Sequence, residues 1–375
     1  MMMDFTIKQA TFKRVISEAS KAVSAKVGTA VSSGIKITAQ PDGLVVTGAN
    51  LDMVIQLFVP VIEESVEKVH IRETGEAVIP AKLLTELVRK LPHDIHITTS
   101  KTKITIRSGE VVTTLQGLDP SHYPALPSFE KHDPIVISSQ QFVQMIRQTV
   151  FAVAKNSTRP LLTGVHLSVQ EGMLRCVATN SHRLALKEQH VTYDQNISLV
   201  VPSASLQELV KLIPQEERDL HLFFTTSHAI FQVGSLTVYS RLIEGRYPDV
   251  SGLFPTDMKT TLVVHTKSFL QGIDRASLFA SEWKHNNIRL ELEDGRLNIA
   301  SFESEMGHVQ EKQEVEKIEG EKEFRISLDG SFLLDALKVM EEEHIQIHYD
   351  GAMKPIVIEP LSSFSHRHLI SPVRS

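Results

Sequence analysis

The chain has 375 residues, 42% hydrophobic and 22% charged, with a formal net charge of −6. That balance fits a globular chain of two or three domains and excludes disordered and collagen-like classes. The one cysteine, Cys176, cannot close an internal disulfide, no apolar run reaches the roughly 18 residues of a membrane span, and Met1-Met2-Met3-Asp4-Phe5 lacks the basic and apolar regions of a signal peptide, so a reducing, cytoplasmic setting is expected.

In chain order, the first element is an amphipathic helix opening at Phe12-Lys13-Arg14-Val15-Ile16. Two alternating strands follow, Gly34-Ile35-Lys36-Ile37 and Gly43-Leu44-Val45-Val46-Thr47, joined by the turn Pro41-Asp42-Gly43. A strand ending at Ile79-Pro80 then leads into a second helix, Leu83-Leu84-Glu86-Leu87-Val88, whose apolar residues fall on one stripe. The order repeats from Phe142-Val143-Gln144-Met145-Ile146, with a hairpin around Glu171-Gly172 and a helix through Leu206-Glu208-Leu209-Val210. It repeats again from Phe269-Leu270-Gln271-Gly272-Ile273, with a hairpin around Asp294-Gly295 and a helix through Phe332-Leu333-Leu334-Ala336-Leu337. Connectors rich in turn residues end the first two repeats, and each carries a Tyr-Pro pair, Tyr123-Pro124 and Tyr247-Pro248. The predicted fold is therefore α+β: three repeated domains, 1–128, 129–253 and 254–375, each with two helices on antiparallel sheets. Cys176 reads as a small core residue, and 311–323 as a solvated strand and loop.

Charge is distributed unevenly. The helical stretches 12–24, 81–91 and 142–155 each carry a net +2 and the other three helices are neutral, so strands and loops hold the acidic excess. If the helices share a face, that face attracts a polyanion while the rest of the surface repels it. No zinc-finger spacing, basic zipper or aromatic RNA-binding motif is present, so contact with DNA would be to phosphate and independent of sequence.

Over its whole length the chain resembles the bacterial β sliding clamps, the β subunit of DNA polymerase III. The resemblance is carried by Thr158-Arg159-Pro160-Leu161-Leu162-Thr163-Gly164-Val165, by Ala178-Thr179-Asn180-Ser181-His182-Arg183-Leu184, by Ser240-Arg241-Leu242-Ile243-Glu244-Gly245-Arg246-Tyr247-Pro248-Asp249, and by Asp335-Ala336-Leu337-Lys338 and Ile370-Ser371-Pro372-Val373-Arg374. It implies a head-to-tail homodimeric ring that encircles double-stranded DNA, is opened by a clamp loader ATPase, and tethers replicative and repair DNA polymerases. It implies no catalysis, cofactor or membrane, and a cytoplasmic, nucleoid-associated location. Simple geometry agrees with a dimer. A ring of six helices spaced about 10 Å apart leaves a hole of about 9 Å, whereas twelve leave about 28 Å. Only the second admits a duplex about 20 Å across with a layer of water.

Carried over residue by residue, the resemblance implies DNA-facing Lys26, Lys82, Arg89, Lys155, Asn156 and Arg159. It implies a groove for partner peptides (glutamine, leucines and an aromatic) at Leu162, Thr179, His182, Arg183, Leu184, Pro248, Leu369, Ile370, Pro372, Val373 and Arg374. It implies a subunit seam at Thr113, Leu278 and Phe279. The chain departs from the family at Thr29-Ala30-Val31-Ser32, where an apolar Ile-Pro-Ile-Leu-like stretch is usual, and at Ser371, where a larger apolar residue is usual. These departures fit a specialised second clamp copy as well as the main replicative one.

Rival chemistries are thin. His344 with His348 and His366 with His368 share strand faces, but no HExxH helix or cysteine set completes a zinc site. Ser181-His182 lacks a Gly-x-Ser-x-Gly elbow, and no P-loop is present.

Overall fold

The structure, a computed structural model, describes residues 2–23, 33–126, 133–156, 158–255, 258–280, 286–302, 307–361 and 365–373. Its helices are α1 (Gln9–Ala19), α2 (Ala81–Lys90), α3 (Ser139–Arg147), α4 (Ser203–Leu212), α5 (Thr266–Ala280) and α6 (Gly330–Leu337), two per repeat at the predicted places. Each opening helix is pinned by its phenylalanine: Phe12, Phe142 and Phe269 are fully enclosed. Truncating a buried phenylalanine to alanine costs about 3–5 kcal/mol, so these three positions hold the helices to their sheets. Gly48 marks where α1 is drawn closest. A Cβ there would lie 1.9 Å from the Ala19 carbonyl oxygen, so no larger residue fits.

The hairpins fall where the alternation puts them, but their turns differ. Glu171 and Gly172, and Asp294 and Gly295, all have positive φ, the mirror-type turn suited to tight hairpins. At the first hairpin Pro41 fixes a negative φ, and neither it nor Asp42 is left-handed.

The chain forms two compact units, and neither coincides with a repeat. One unit comprises 1–142 and 204–242; the other comprises 143–203 and 243–375. The reason is that each unit is organised by a sheet built from two repeats. In the first unit, an eight-stranded sheet runs Ile135–Ser138, Asp219–Phe224, His228–Val233, Leu236–Arg241, Met53–Pro60, Gly43–Ala49, Gly34–Gln40, Gly75–Pro80. Its middle is a junction of repeats, with Leu57 opposite Leu236 and Met53 opposite Ser240. In the second unit, a nine-stranded sheet is joined the same way, Lys187 opposite His366 and Arg183 opposite Ile370.

Each unit also has a smaller sheet with an open edge. In the first unit, Val111–Gln116 is the edge of a five-stranded sheet and, among the described residues, pairs as a strand only with Lys103–Ser108. In the second, Gln310–Glu314 is the edge of a four-stranded sheet and, among the described residues, pairs as a strand only with Arg296–Ser301.

Candidate partner-binding groove and DNA-facing residues

The groove lies in the second unit, where Arg183–His190 meets His366–Ile370. Period-two alternation sends Leu184 and Leu369, which neighbour each other across the junction, to the outer face. There they join Leu162 and Tyr247 in one apolar cluster, with Val250 packed against it. The rim is a tight turn. Asn180 Oδ1 accepts from the backbone N–H groups of His182 and Arg183, each at 3.0 Å. Thr179 Oγ1 accepts from Ser181 N–H at 3.1 Å and donates to the Arg183 carbonyl at 2.6 Å. Ser181 sits at φ 76°, so this turn is held in a left-handed conformation by its own side chains. The strand end is tied to it, because Ser371 N–H donates to the His182 carbonyl at 2.9 Å.

These elements enclose a cavity of about 230 Å³ lined by Leu162, Thr179, His182, Leu184, Pro248 and Leu369, among others. That is below the roughly 300–1,000 Å³ of small-molecule pockets and suits one or two apolar side chains of a peptide.

The sequence-derived set needs correction at several positions. Ile370 is one residue out of phase with Leu369, faces the other side of the sheet, and is fully enclosed in the core of the third repeat. Arg183 contributes to the groove wall, but its guanidinium is committed inward. It donates to Asp335 Oδ2 at 2.7 Å and to the Phe151 carbonyl, and lies between the Phe151 and Phe332 rings. It therefore shapes the groove from below. Pro372 and Val373 lie beyond the cavity, where Val373 N–H donates to the Ser327 carbonyl at 2.9 Å. Arg159, expected to face DNA, is among the residues that line the groove. Lys26 and Arg374 lie outside the described residues.

Sequence reasoning missed Ser181, Asp249, Val250, Leu253 and Pro355 as groove-lining residues. Leu253 had a signal, an apolar residue just past the Tyr247-Pro248 turn; it is half exposed. Ser371, a smaller and more polar wall residue than the family's usual apolar one, lines the groove as well.

The junction in the first unit repeats this architecture with bulkier residues. Asn50 Oδ1 accepts from Asp52 and Met53 N–H at 2.8 Å, as Asn180 does from its turn, and Arg241 N–H donates to the Asp52 carbonyl at 2.8 Å, as Ser371 does to His182. Tyr239 and Arg241 thus stand where the second junction has Leu369 and Ser371. The Tyr239 ring packs with Phe223, Ile230 and Val54.

Of the remaining DNA-facing candidates, Lys82 and Arg89 are exposed on α2. Two helical turns separate them, about 10.5 Å along one helix face. Lys155 and Asn156 are exposed in the loop after α3. Of the seam candidates, Thr113 lies on the open edge strand opposite Ile106, Leu278 is 67% exposed near the end of α5, and Phe279 is half-buried. Among the described residues no group of three or more histidine, cysteine, aspartate or glutamate side chains is arranged to hold a metal ion.

Comparison with known proteins decides the family. The N-terminal, central and C-terminal domain descriptions of the DNA polymerase III beta subunit match residues 3–127, 136–249 and 251–374. The chain belongs to the DNA polymerase III beta subunit family. It is 39% identical to the "Beta sliding clamp" proteins of Halalkalibacterium halodurans and Bacillus subtilis, and 35% identical to that of Staphylococcus aureus, over the whole of both chains in each case. Among solved structures, the Bacillus subtilis sliding clamp aligns over both full chains at 38% identity with a TM-score of 0.97. The β chain of Streptococcus pneumoniae aligns over both full chains at 28% identity with a TM-score of 0.94. The fold is thus the three-domain clamp fold of an accessory polymerase subunit.

Proposed function

We propose that this chain is a DNA sliding clamp: a processivity factor whose head-to-tail homodimer encircles duplex DNA without reading its sequence. It carries polymerases and repair proteins in the groove of the second junction. A clamp loader ATPase opens the ring, and the clamp performs no chemistry of its own. The three domains, 1–128, 129–253 and 254–375, are the family's repeats, and the protein works in the cytoplasm on the nucleoid. Lys82, Arg89, Lys155 and Asn156 face the duplex and hold it through water and phosphate charge.

What carries the dimer is the arithmetic of the strand pairing. The hairpins align 43, 173 and 296, because Gly43 is opposite Gln40, Met173 opposite Gln170 and Arg296 opposite Glu293. On the next strand Gln56 faces Thr47, Leu186 faces Val177 and Gln310 faces Ala300, which makes Glu311 the counterpart of Leu57 and Lys187. Val111 follows its hairpin as Leu236 does, Ser108 opposite Val111 and Val233 opposite Leu236. Since Leu57 pairs with Leu236 and Lys187 with His366, Glu311 of one subunit pairs with Val111 of the next, and Val309 with Thr113. Two open edges of matching position thereby close, which removes the exposed-edge liability. Leu278 fits the same rule. Its counterpart Phe151 lies 5.4 Å from His368, and His368 is the counterpart of Thr113. Phe279, beside Gly307, flanks the same contact.

The test is a cysteine pair, Thr113→Cys with Val309→Cys. Native Cys176 is buried and does not compete. Oxidation should give a covalent dimer from the pair and none from either single variant. Monomer throughout would refute the seam, and a dimer only from a shifted pair would refute its register.

A further inference from the structure

A second, larger opening lies on the same outer face, on the far side of the Tyr247–Ser251 turn from the groove. Its volume is about 660 Å³, and it shares Pro248, Asp249 and Val250 with the groove as a common wall. Resting on the peptide-groove reading above, we propose that this opening receives an acidic flank of the partner peptide, so that carboxylate side chains next to the apolar anchor are recognised by Arg246 and Arg367.

The floor is an outward row of the nine-stranded sheet, Val177 beside Leu186, with Phe254 packed on the cluster they belong to. The walls bring three arginines against two carboxylates. Arg175 is spent, its Nε donating to Glu188 Oε1 at 2.6 Å. Asp249 is also engaged, because its Oδ1 accepts from Ser251 N–H at 3.0 Å and Oγ–H at 2.8 Å, bonds that hold its carboxyl below the usual range. Arg246 and Arg367 make no salt bridge within hydrogen-bonding reach of a described carboxylate, although the Arg246 charge also helps to lower the Asp249 carboxyl. Arg367 lies against the Phe254 ring at 4.3 Å, with its Nε enclosed and unbonded. Stacking fixes the plane of the guanidinium and leaves its terminal N–H groups as a ready fork for a carboxylate. The opening therefore has a cationic excess, an apolar floor and direct continuity with the groove. A short step of peptide around Val250 connects the two.

The test compares fluorescently labelled peptides on the intact protein: the glutamine–leucine–aromatic anchor alone, the anchor extended by two glutamates at either end, and the same extended by two lysines. One of the glutamate extensions should tighten binding by about fivefold or more at low salt, and the gain should shrink at high salt. In Arg246→Gln with Arg367→Gln the gain should vanish while the affinity of the anchor alone stays within about twofold, which also certifies the fold. Equal binding of glutamate- and lysine-extended peptides, or a gain that survives in the double variant, would overturn the inference and leave the groove intact. Failure of every peptide to bind would overturn the groove reading and this inference together.

Discussion

Leu278→Ala probes the seam at its most exposed apolar residue. The side chain is 67% exposed in the isolated chain and, by its correspondence with Phe151, becomes covered when the dimer forms. Burying the exposed part of a leucine contributes about 1–2 kcal/mol. A closed dimeric ring has two equivalent seams, so the substitution weakens the dimer by about 2–4 kcal/mol, which raises its dissociation constant by roughly 30- to 1,000-fold. The monomer should be unaffected, because in it the residue has little cover to lose. Sedimentation velocity over a concentration series reads the dissociation constant, and a thermal melt of the diluted monomer checks the fold. A dissociation constant unchanged within threefold, with the fold intact, would refute the seam geometry.

Leu253→Asp should reduce partner-peptide affinity about tenfold or more without a change in melting temperature, since the residue is half exposed and lines the groove; isothermal titration with the anchor peptide checks it. Lys82→Glu with Arg89→Glu should abolish most loading onto DNA while the circular dichroism melt stays put, and unchanged loading would remove these residues from the DNA-facing set. His366 and His368 predict acid sensitivity. Both are fully enclosed, their rings 4.3 Å apart, with no side-chain hydrogen-bond partner on either ring among the described residues and the Gln148 backbone lying near His366. Burial, and then the Lys187 charge, push His366 down to about 3; burial, His366 and Arg183 push His368 well below its ordinary value. Both groups are depressed, so the unfolded chain takes up their protons first. Stability is complete above pH of about 6.5 and falls by up to about 1.4 kcal/mol per pH unit for each histidine below it. Urea midpoints at pH 7.5 and 5.5 should show that loss, and His366→Leu with His368→Leu should flatten it.

The repeat was legible because its marks are local: a phenylalanine opening each helix, a two-residue turn, a period-two hairpin. The sheets were not, because their decisive pairs, such as Leu57 with Leu236 and Lys187 with His366, join residues far apart in the chain. Those long-range pairs are also why the compact units divide the middle repeat between them. Within the groove, Leu162, Thr179, His182, Leu184, Pro248 and Leu369 could be named from the sequence by resemblance, and they do converge. Ile370 was misread for a reason of parity. Neighbours on a strand point to opposite faces, and a motif copied residue by residue ignores that parity. The place of Arg159 in the groove lining was not legible, because a lone basic residue beside a polar loop carries no mark of which way the chain turns. The difference between the junctions was legible in principle, since Tyr239 and Arg241 are bulky where Leu369 and Ser371 are not, but only once the two junctions had been aligned.

The central claim is a closed ring that slides. The direct measurement is retention on circular DNA. The protein is loaded onto a nicked plasmid with a bacterial clamp loader and ATP, the complex is isolated, and half of it is cut once with a restriction enzyme. Retention on the circle with release from the linear molecule is the result predicted here. Equal retention on both would mean adhesive binding and would contradict the ring.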